Sequence, residues 1–414
     1  MYIKRTIENS ISEFSKIFPV VYIGGPRQVG KTTVFEEFCK KSNRQIISLD
    51  SFNDRELAQK DPEIFLQKYS GDLLIDEVQY APQLFSCIKQ IVDKNKVCGQ
   101  FFLTGSVHFS LMKNITESLA GRVGIMKLLG FSQEEKLNIV ASRGFIPTKA
   151  YLDEKEELLK DKSCNYLFHE IWKGTYPGLY NLDDNSWSKF YDSYLQTYIS
   201  RDIVNYTNVN NEVDFYRFMK VLAARTGQEV NHSTLARELG ISSVTVKSWL
   251  SILVASGLVF LLPPYYKNLT SRVVKSPKLH FLDLGLVCFL LGYSNPTIAE
   301  NCPMSGALLE SYVVSEIVKS YYHRGQTPNL YYYRDKEQRE IDVLLEEDGL
   351  LYPMEIKSKS NPNKDDIRHF EVIDKVLKVP RGCGAVLCRA SSYLPLTKQD
   401  YLVPISYIWF IKRS

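Results

Sequence analysis

The plainest chemical signal lies near the N-terminus, in Gly25-Pro26-Arg27-Gln28-Val29-Gly30-Lys31-Thr32-Thr33. Two glycines separated by four residues and followed by Lys and Thr match GxxxxGK[ST], a phosphate-binding loop. Glycine lets the backbone wrap until its N–H groups meet β- and γ-phosphate oxygens. Lys31 then supplies a point charge, and the Thr32 hydroxyl a Mg²⁺ ligand. A second set is Asp76-Glu77, delivered by the apolar run Leu73-Leu74-Ile75. Asp76 is expected to hold Mg²⁺ through its water shell, and Glu77 to orient or polarise the attacking water. Thr104 and Ser106 follow Phe101-Phe102-Leu103 and could sense the γ-phosphate; ordinary turn chemistry accounts for them equally well. Hydrolysis also needs a positive charge on the transition state, from the same or a neighbouring subunit. Arg122 and Arg201 are candidates, although a salt bridge is the more frequent fate of an arginine.

A third set lies near the C-terminus, where two strand-like runs flank Asp348-Gly349 and read as a β-hairpin. Pairing Glu347 with Leu350 puts Asp342 directly opposite Glu355, with Lys357 on the same side as Glu355. Opposed Cβ atoms lie roughly 4.5–5.5 Å apart, and like charges so placed destabilise a sheet unless a cation compensates. Oxygen donors of this kind suit Mg²⁺ or Mn²⁺, with Lys357 placed to stabilise a phosphoryl transition state or activate water. Glu310, on a helix expected over 306–322, shares a face with Val313, Val314 and Ile317 and is a candidate further ligand. The alternative is an exposed, mutually compensating strand face, and Pro353 hints at an edge strand.

The elements that must position these groups follow from periodicity. Short β-branched and aromatic runs at 20–23, 45–49, 73–75 and 101–103, with a fifth at 123–129, alternate with helix-like segments. That is the pattern of a parallel α/β sheet. A charged stretch over 153–162 places the first domain boundary near 150. Residues 165–230 read as helical, with Trp172, Trp187, Tyr191, Tyr194, Leu195 and Tyr198 on apolar faces. Two short helices, 233–239 and 243–256, hinge at Gly240-Ile241 with Ser242-Ser243 as caps, and a strand-like run at 257–262 follows. This predicts a winged helix-turn-helix, although a plain helical hairpin shares the pattern. Over 265–280, Lys267, Arg272, Lys275 and Lys278 occur with no acid, so a local charge of +4 could meet phosphates. A basic linker or packing surface is the alternative.

The whole chain bounds these readings. Its 414 residues suggest more than one core. Hydrophobic residues at 44% and charged residues at 24% exclude disorder throughout, a collagen-like chain and a supercharged one. The formal net charge of +4 does not by itself mark a nucleic-acid binder. Eight cysteines without CxxC pairs, and no apolar signal segment at the start, lead us to expect a reduced, cytoplasmic protein. The most apolar stretch, 252–264, is shorter than the roughly 18–20 residues a bilayer span needs, so no membrane association is expected.

The ordered motifs also include Leu103-Thr104-Gly105-Ser106, Ser118-Leu119-Ala120-Gly121-Arg122-Val123, Tyr198-Ile199-Ser200-Arg201-Asp202, Pro263-Pro264-Tyr265, Lys275-Ser276-Pro277-Lys278 and Phe281-Leu282-Asp283-Leu284-Gly285-Leu286. Together the set resembles the prokaryotic AAA+-type ATPases that carry a C-terminal domain of the PD-(D/E)XK nuclease-like superfamily. The resemblance implies a P-loop ATPase domain over 1–150, a helical and winged-helix domain over 151–300, and an α/β restriction-endonuclease-like domain over 301–414. It implies ATP and Mg²⁺ at Lys31, Thr32, Asp76 and Glu77. The superfamily's quartet of a helix acid, a hairpin Asp and a Glu-x-Lys falls on Glu310, Asp342, Glu355 and Lys357, with Glu316 competing for the helix position. ATP and DNA are the expected partners, and homo-oligomerisation stays open. The alternative is a nucleotide-switched regulatory module whose C-terminal domain docks a partner and cuts nothing.

Overall fold

Five of the apolar runs become strands: β1 (Val20–Gly25), β2 (Gln45–Ser48), β3 (Leu73–Asp76), β4 (Phe101–Ser106) and β5 (Val123–Lys127). They form one parallel sheet in the order β2-β3-β4-β1-β5. The computed structural model describes residues 2–40, 42, 44–106, 115–139, 143–158, 166–198, 212–267 and 276–409. Parallel neighbours need crossovers, and helices Lys31–Cys39, Phe52–Lys60, Pro62–Lys68 and Leu84–Asn95 supply them between β1 and β4. The two-residue period sends Val20, Tyr22, Leu73, Ile75, Phe101 and Leu103 into a core with Leu84, Phe85, Ile88 and Val92. On the opposite face Phe102 stacks on Phe35 at 4.9 Å between centroids. Covering both faces is why these strands read as continuous apolar runs and not as alternation. Only the edge strand β2 leaves an apolar side chain, Ile46, exposed.

By packing, the described chain gathers into two units, one of residues 1–131, 251–257 and 322–326, the other of 132–250, 258–321 and 327–414. The second unit contains helices Leu167–Lys173 and Trp187–Tyr198, where Trp172 and Trp187 stack at 4.6 Å. Asp283, in one of the motifs singled out above, is buried here as an internal clamp. It accepts from the Thr175 N–H at 2.6 Å, the Thr175 hydroxyl at 2.8 Å and the Tyr191 hydroxyl at 2.6 Å, and caps Leu284–Leu291 through the Leu286 N–H. Helix Glu212–Ala223 leads to β6 (Gln228–Glu229), and helices His232–Leu239 and Ser243–Ala255 cross at 107°. Gly240 ends the first with φ 70°, a left-handed turn that glycine adopts without strain, and the Ser242 hydroxyl caps the second by accepting from the Thr245 N–H at 3.0 Å. β7 (Val259–Leu262) and β8 (Lys278–Phe281) then complete a three-stranded sheet in the order β6-β8-β7.

Helix Ser305–Tyr322 precedes β9 (Leu330–Arg334), β10 (Glu340–Glu347), β11 (Leu350–Ile356), β12 (Gly384–Cys388), β13 (Leu394–Pro395) and β14 (Asp400–Pro404). Their mixed sheet has the order β13-β14-β12-β11-β10-β9. The hairpin register is the one expected: Glu347 pairs with Leu350 and Val343 with Met354. Positive φ at both Asp348 (51°) and Gly349 (75°) matches the twist that a two-residue hairpin turn requires. β11 is an interior strand, paired on both sides, so Pro353 does not mark a sheet edge. No single helix among the described residues is long and apolar enough to cross a membrane.

Candidate functional site

Because the N-terminal sheet is parallel, β1, β4 and β3 end side by side at one edge, Gly25 opposite Ser106 and Ile75 opposite Leu103. The glycine loop, Thr104-Gly105-Ser106 and Asp76-Glu77 therefore converge although up to 81 positions separate them. Gly25 is obligatory, since a Cβ there would lie 1.9 Å from the Leu128 carbonyl oxygen. Gly30 (φ 87°) turns the loop into helix Lys31–Cys39, whose N-terminus no side chain caps, leaving its first N–H groups to face an anion. Pro26 and Val29 are buried, while Gln28 and Thr33 are exposed and Arg27 is half-buried.

Lys31 Nζ donates to the carbonyls of Gly25 (3.1 Å) and Pro26 (2.7 Å), and Thr32 Oγ1 donates to Asp76 Oδ2 at 3.0 Å. Burial, and then the neighbouring Glu77 carboxylate, push the Asp76 pKa up to about 6. The Thr32 hydroxyl, the Glu77 N–H and Lys31 work against that shift. A divalent cation on Thr32 and Asp76 would stabilise the ionised form, so the pair fits Mg²⁺. Thr104 Oγ1 is fully buried and has no hydrogen-bond partner among the described residues, which suits a hydroxyl placed for a phosphate oxygen. Glu77 takes a left-handed conformation (φ 54°) and accepts from Gln79 Nε2. Gln79 was not singled out in sequence; its Oε1 packs so closely on Gly105 that a Cβ there would approach to 2.1 Å.

Two arginines exchange the importance expected of them. Arg122 precedes β5 at the opposite edge of the sheet, where its carbonyl accepts from the Val20 N–H. Its guanidinium pairs with Asp93, at 2.9 Å through one of two contacts, so the structure does not bring it to the phosphate edge of its own chain. Arg201 lies outside the described residues. Arg5, unremarked in sequence, is buried and donates to the carbonyls of Val29 (2.8 Å), Leu129 (2.8 Å) and Gly130 (3.4 Å), with Phe131 beneath its plane. It braces the glycine loop from behind, and no local pattern announces a lone arginine in that role.

In the second unit the C-terminal acids do converge. Asp342 lies where the β10–β9 register shifts between Ile341 and Leu344, a bulge that re-aims the side chain. Its Oδ2 accepts from the Ile356 N–H at 2.9 Å. Lys357 Nζ lies 2.7 Å from Glu355 Oε2 and 3.9 Å from Asp342 Oδ2. Burial raises the pKa of Glu355, and the Asp342 charge raises it further. The same two causes raise Glu310, which lies within electrostatic reach of Asp342. Glu316 is used elsewhere, accepting from the Gln133 N–H at 2.9 Å and pairing with Lys319 at 2.9 Å.

Lys278 corrects the reading of the basic stretch. It is buried, with Nζ 3.1 Å from Glu310 Oε1 and 2.6 Å from Glu340 Oε1, so it faces the acids and not solvent phosphate. Lys267 is exposed, and Arg272 and Lys275 lie outside the described residues. Among the described residues no three Asp, Glu, His or Cys side chains are gathered closely enough to hold a metal ion as they stand. The donor set is all oxygen and suits a hard cation, but two ammonium groups already hold it.

Residues 18–137 match the AAA domain family, and 165–297 and 305–408 match two domains of unknown function, DUF8612 and DUF4143. An uncharacterized protein of Mycobacterium tuberculosis is 29% identical over 397 residues, covering 94% of this chain and 81% of its own length. An uncharacterized protein of Mycobacterium bovis matches to the same extent. Among solved structures, a Walker-type ATPase of Pyrococcus abyssi is 14% identical with a TM-score of 0.42, covering 70% of this chain and 96% of that one. The Thermotoga maritima Holliday junction branch migration motor RuvB is 16% identical with a TM-score of 0.31, covering 62% and 89%. The chain thus carries an AAA-type P-loop ATPase domain at its N-terminus and a DUF4143 domain at its C-terminus.

Proposed function

Starting from that AAA-type domain, we propose that the protein binds and hydrolyses ATP with Mg²⁺, engages DNA through its middle region, and carries a metal-dependent phosphodiesterase site in a restriction-endonuclease-like C-terminal domain. The observation that carries the first step is the Thr32–Asp76 contact beside Lys31. Lys31 would leave its loop carbonyls and donate to the β- and γ-phosphates, Thr32 and Asp76 would hold Mg²⁺, Glu77 would orient water and Thr104 would meet the γ-phosphate. Mg²⁺ there would neutralise charge on the transferring phosphoryl group. The division into an ATPase domain over 1–150, a winged-helix domain over 151–300 and a nuclease-like domain over 301–414 belongs to the same proposal.

The DNA reading rests on the 107° helix pair, within the range of helix-turn-helix units, and on the three-stranded sheet beside it. Ser243, Val244 and Lys247 are exposed at the start of the second helix, where such units contact base edges. The nuclease reading rests on Glu310, Asp342, Glu355 and Lys357 sharing one cluster in which Glu355 is buried and the other three are half-buried. One observation favours the regulatory alternative: both lysines already neutralise that cluster, so it could serve a docking fold without any metal.

Purified full-length protein, Mg-ATP and a DNA panel test the set together. Phosphate release that disappears in Lys31→Ala supports the ATPase, and retention of DNA that weakens steeply with salt supports DNA engagement. Metal-dependent nicking lost in Asp342→Ala and Lys357→Ala supports the nuclease. Mn²⁺ binding that is indifferent to Asp342→Ala would instead favour the docking platform.

A further inference from the structure

Lys278 reaches the C-terminal carboxylates from β8, a strand of the other sheet in its unit. Strand alternation sends Lys278 and His280 to one side, and both meet Glu310. His280 Nε2 lies 4.0 Å from Glu310 Oε1, fully buried and without a hydrogen-bond partner among the described residues, while Nδ1 engages the Ser311 hydroxyl at 3.0 Å. A buried ring nitrogen without a hydrogen-bond partner among the described residues, beside a carboxylate, is a polar group whose partner is yet to arrive. The ammonium of Lys278 meanwhile holds the Glu310 oxygen that a metal would use, and two cations cannot share that oxygen at close range.

We propose that Lys278 is a built-in competitor for the divalent cation at the C-terminal site. Its ammonium holds Glu310, and a cation binds only as Lys278 withdraws. Metal loading is thereby linked to β8, which pairs along its length with β7, the strand that follows helix Ser243–Ala255. The strand is also tied to the C-terminal sheet: the Tyr332 hydroxyl donates to the Ser276 carbonyl at 2.7 Å, and Pro264 bridges to Tyr332. A change at the helix pair thus has a covalent and hydrogen-bonded route to Lys278, and His280 Nε2 lies beside the Glu310 oxygen that the ammonium would leave. The inference rests on the proposed metal-binding reading of the cluster and adds its regulation.

The test is calorimetric titration of nucleotide-free, full-length protein with Mn²⁺ alone. Lys278→Met is expected to bind Mn²⁺ at least ~10-fold more tightly than wild type at the site lost in Asp342→Asn, while Lys278→Arg behaves as wild type. Adding Asp342→Asn to Lys278→Met should erase the gain. Unchanged or weaker Mn²⁺ binding in Lys278→Met, with binding still lost in Asp342→Asn, overturns the competitor role and leaves the metal site standing. Indifference to Asp342→Asn in both backgrounds overturns the metal site and the competitor together. Since Lys278→Met leaves two acids unpaired and lowers stability, melting is followed with and without Mn²⁺. Recovery of the lost Tm on adding Mn²⁺ supports the proposal, and no recovery overturns it.

Discussion

Thr32 Oγ1 donates to Asp76 Oδ2 across 3.0 Å, although the two residues lie 44 positions apart, one at the start of helix Lys31–Cys39 and the other at the end of β3. The hydroxyl that follows the loop lysine and the carboxylate that ends β3 are already at the spacing of two ligands of one ion. The pair should act as a unit in ATP hydrolysis. Thr32→Ala and Asp76→Asn are each expected to lower Mg-dependent phosphate release at least ~100-fold, and the double variant to lose little more. Steady-state phosphate release with and without Mg²⁺ checks this; additive losses would separate the two residues.

Arg5 supports the loop without facing the phosphate edge. Removing a buried guanidinium that serves three carbonyls should cost about 2–4 kcal/mol. Arg5→Ala is therefore expected to shift the urea midpoint down and to raise KM for ATP more than it lowers kcat. A wild-type midpoint would show that the contact contributes nothing.

The C-terminal acids trade stability for placement. Glu355→Gln removes a buried carboxylate whose pKa the neighbouring, half-buried Asp342 charge raises, and should raise the urea midpoint at about pH 8, by an amount on the order of 1 kcal/mol. The same variant should lose any metal-dependent nicking. A lowered midpoint would mean that the ion pair with Lys357 outweighs the repulsion.

His169 offers a pH test away from the proposed sites. Glu170 first, then Asp184 at 3.0 Å, raise its pKa against the effect of burial. The folded state therefore binds this proton more tightly than the unfolded one. Its stabilisation is complete below the unfolded value of about 6.5 and is lost as pH rises through the raised folded value. His169→Gln should cost under ~1 kcal/mol at about pH 5.5, discounted for partial exposure, and close to nothing at about pH 9. Chemical denaturation at the two pH values reads the difference; an equal cost at both would refute the proton linkage.

Much of this was legible in the residues alone. Apolar runs flanking Gly25, Asp76 and Thr104 are local signals, because a buried parallel strand must be apolar along its whole length. The hairpin register was equally local, since Asp348-Gly349 admits one tight turn and the two-residue period does the rest. What the chain could not announce depends on contacts distant in sequence. Arg122 reads like a catalytic arginine, and the parallel register puts it at the sheet edge opposite its own chain's phosphate loop. Arg5 has no periodic signature, and its role exists only where three carbonyls meet it. Lys278 reads as part of a basic strip until β8 carries it inward to Glu310 and Glu340. Residue type and spacing decide which chemistry is available, because they set the ligands and the strand faces. The tertiary structure alone decides which charges meet, because burial and partnership are properties of the packed chain.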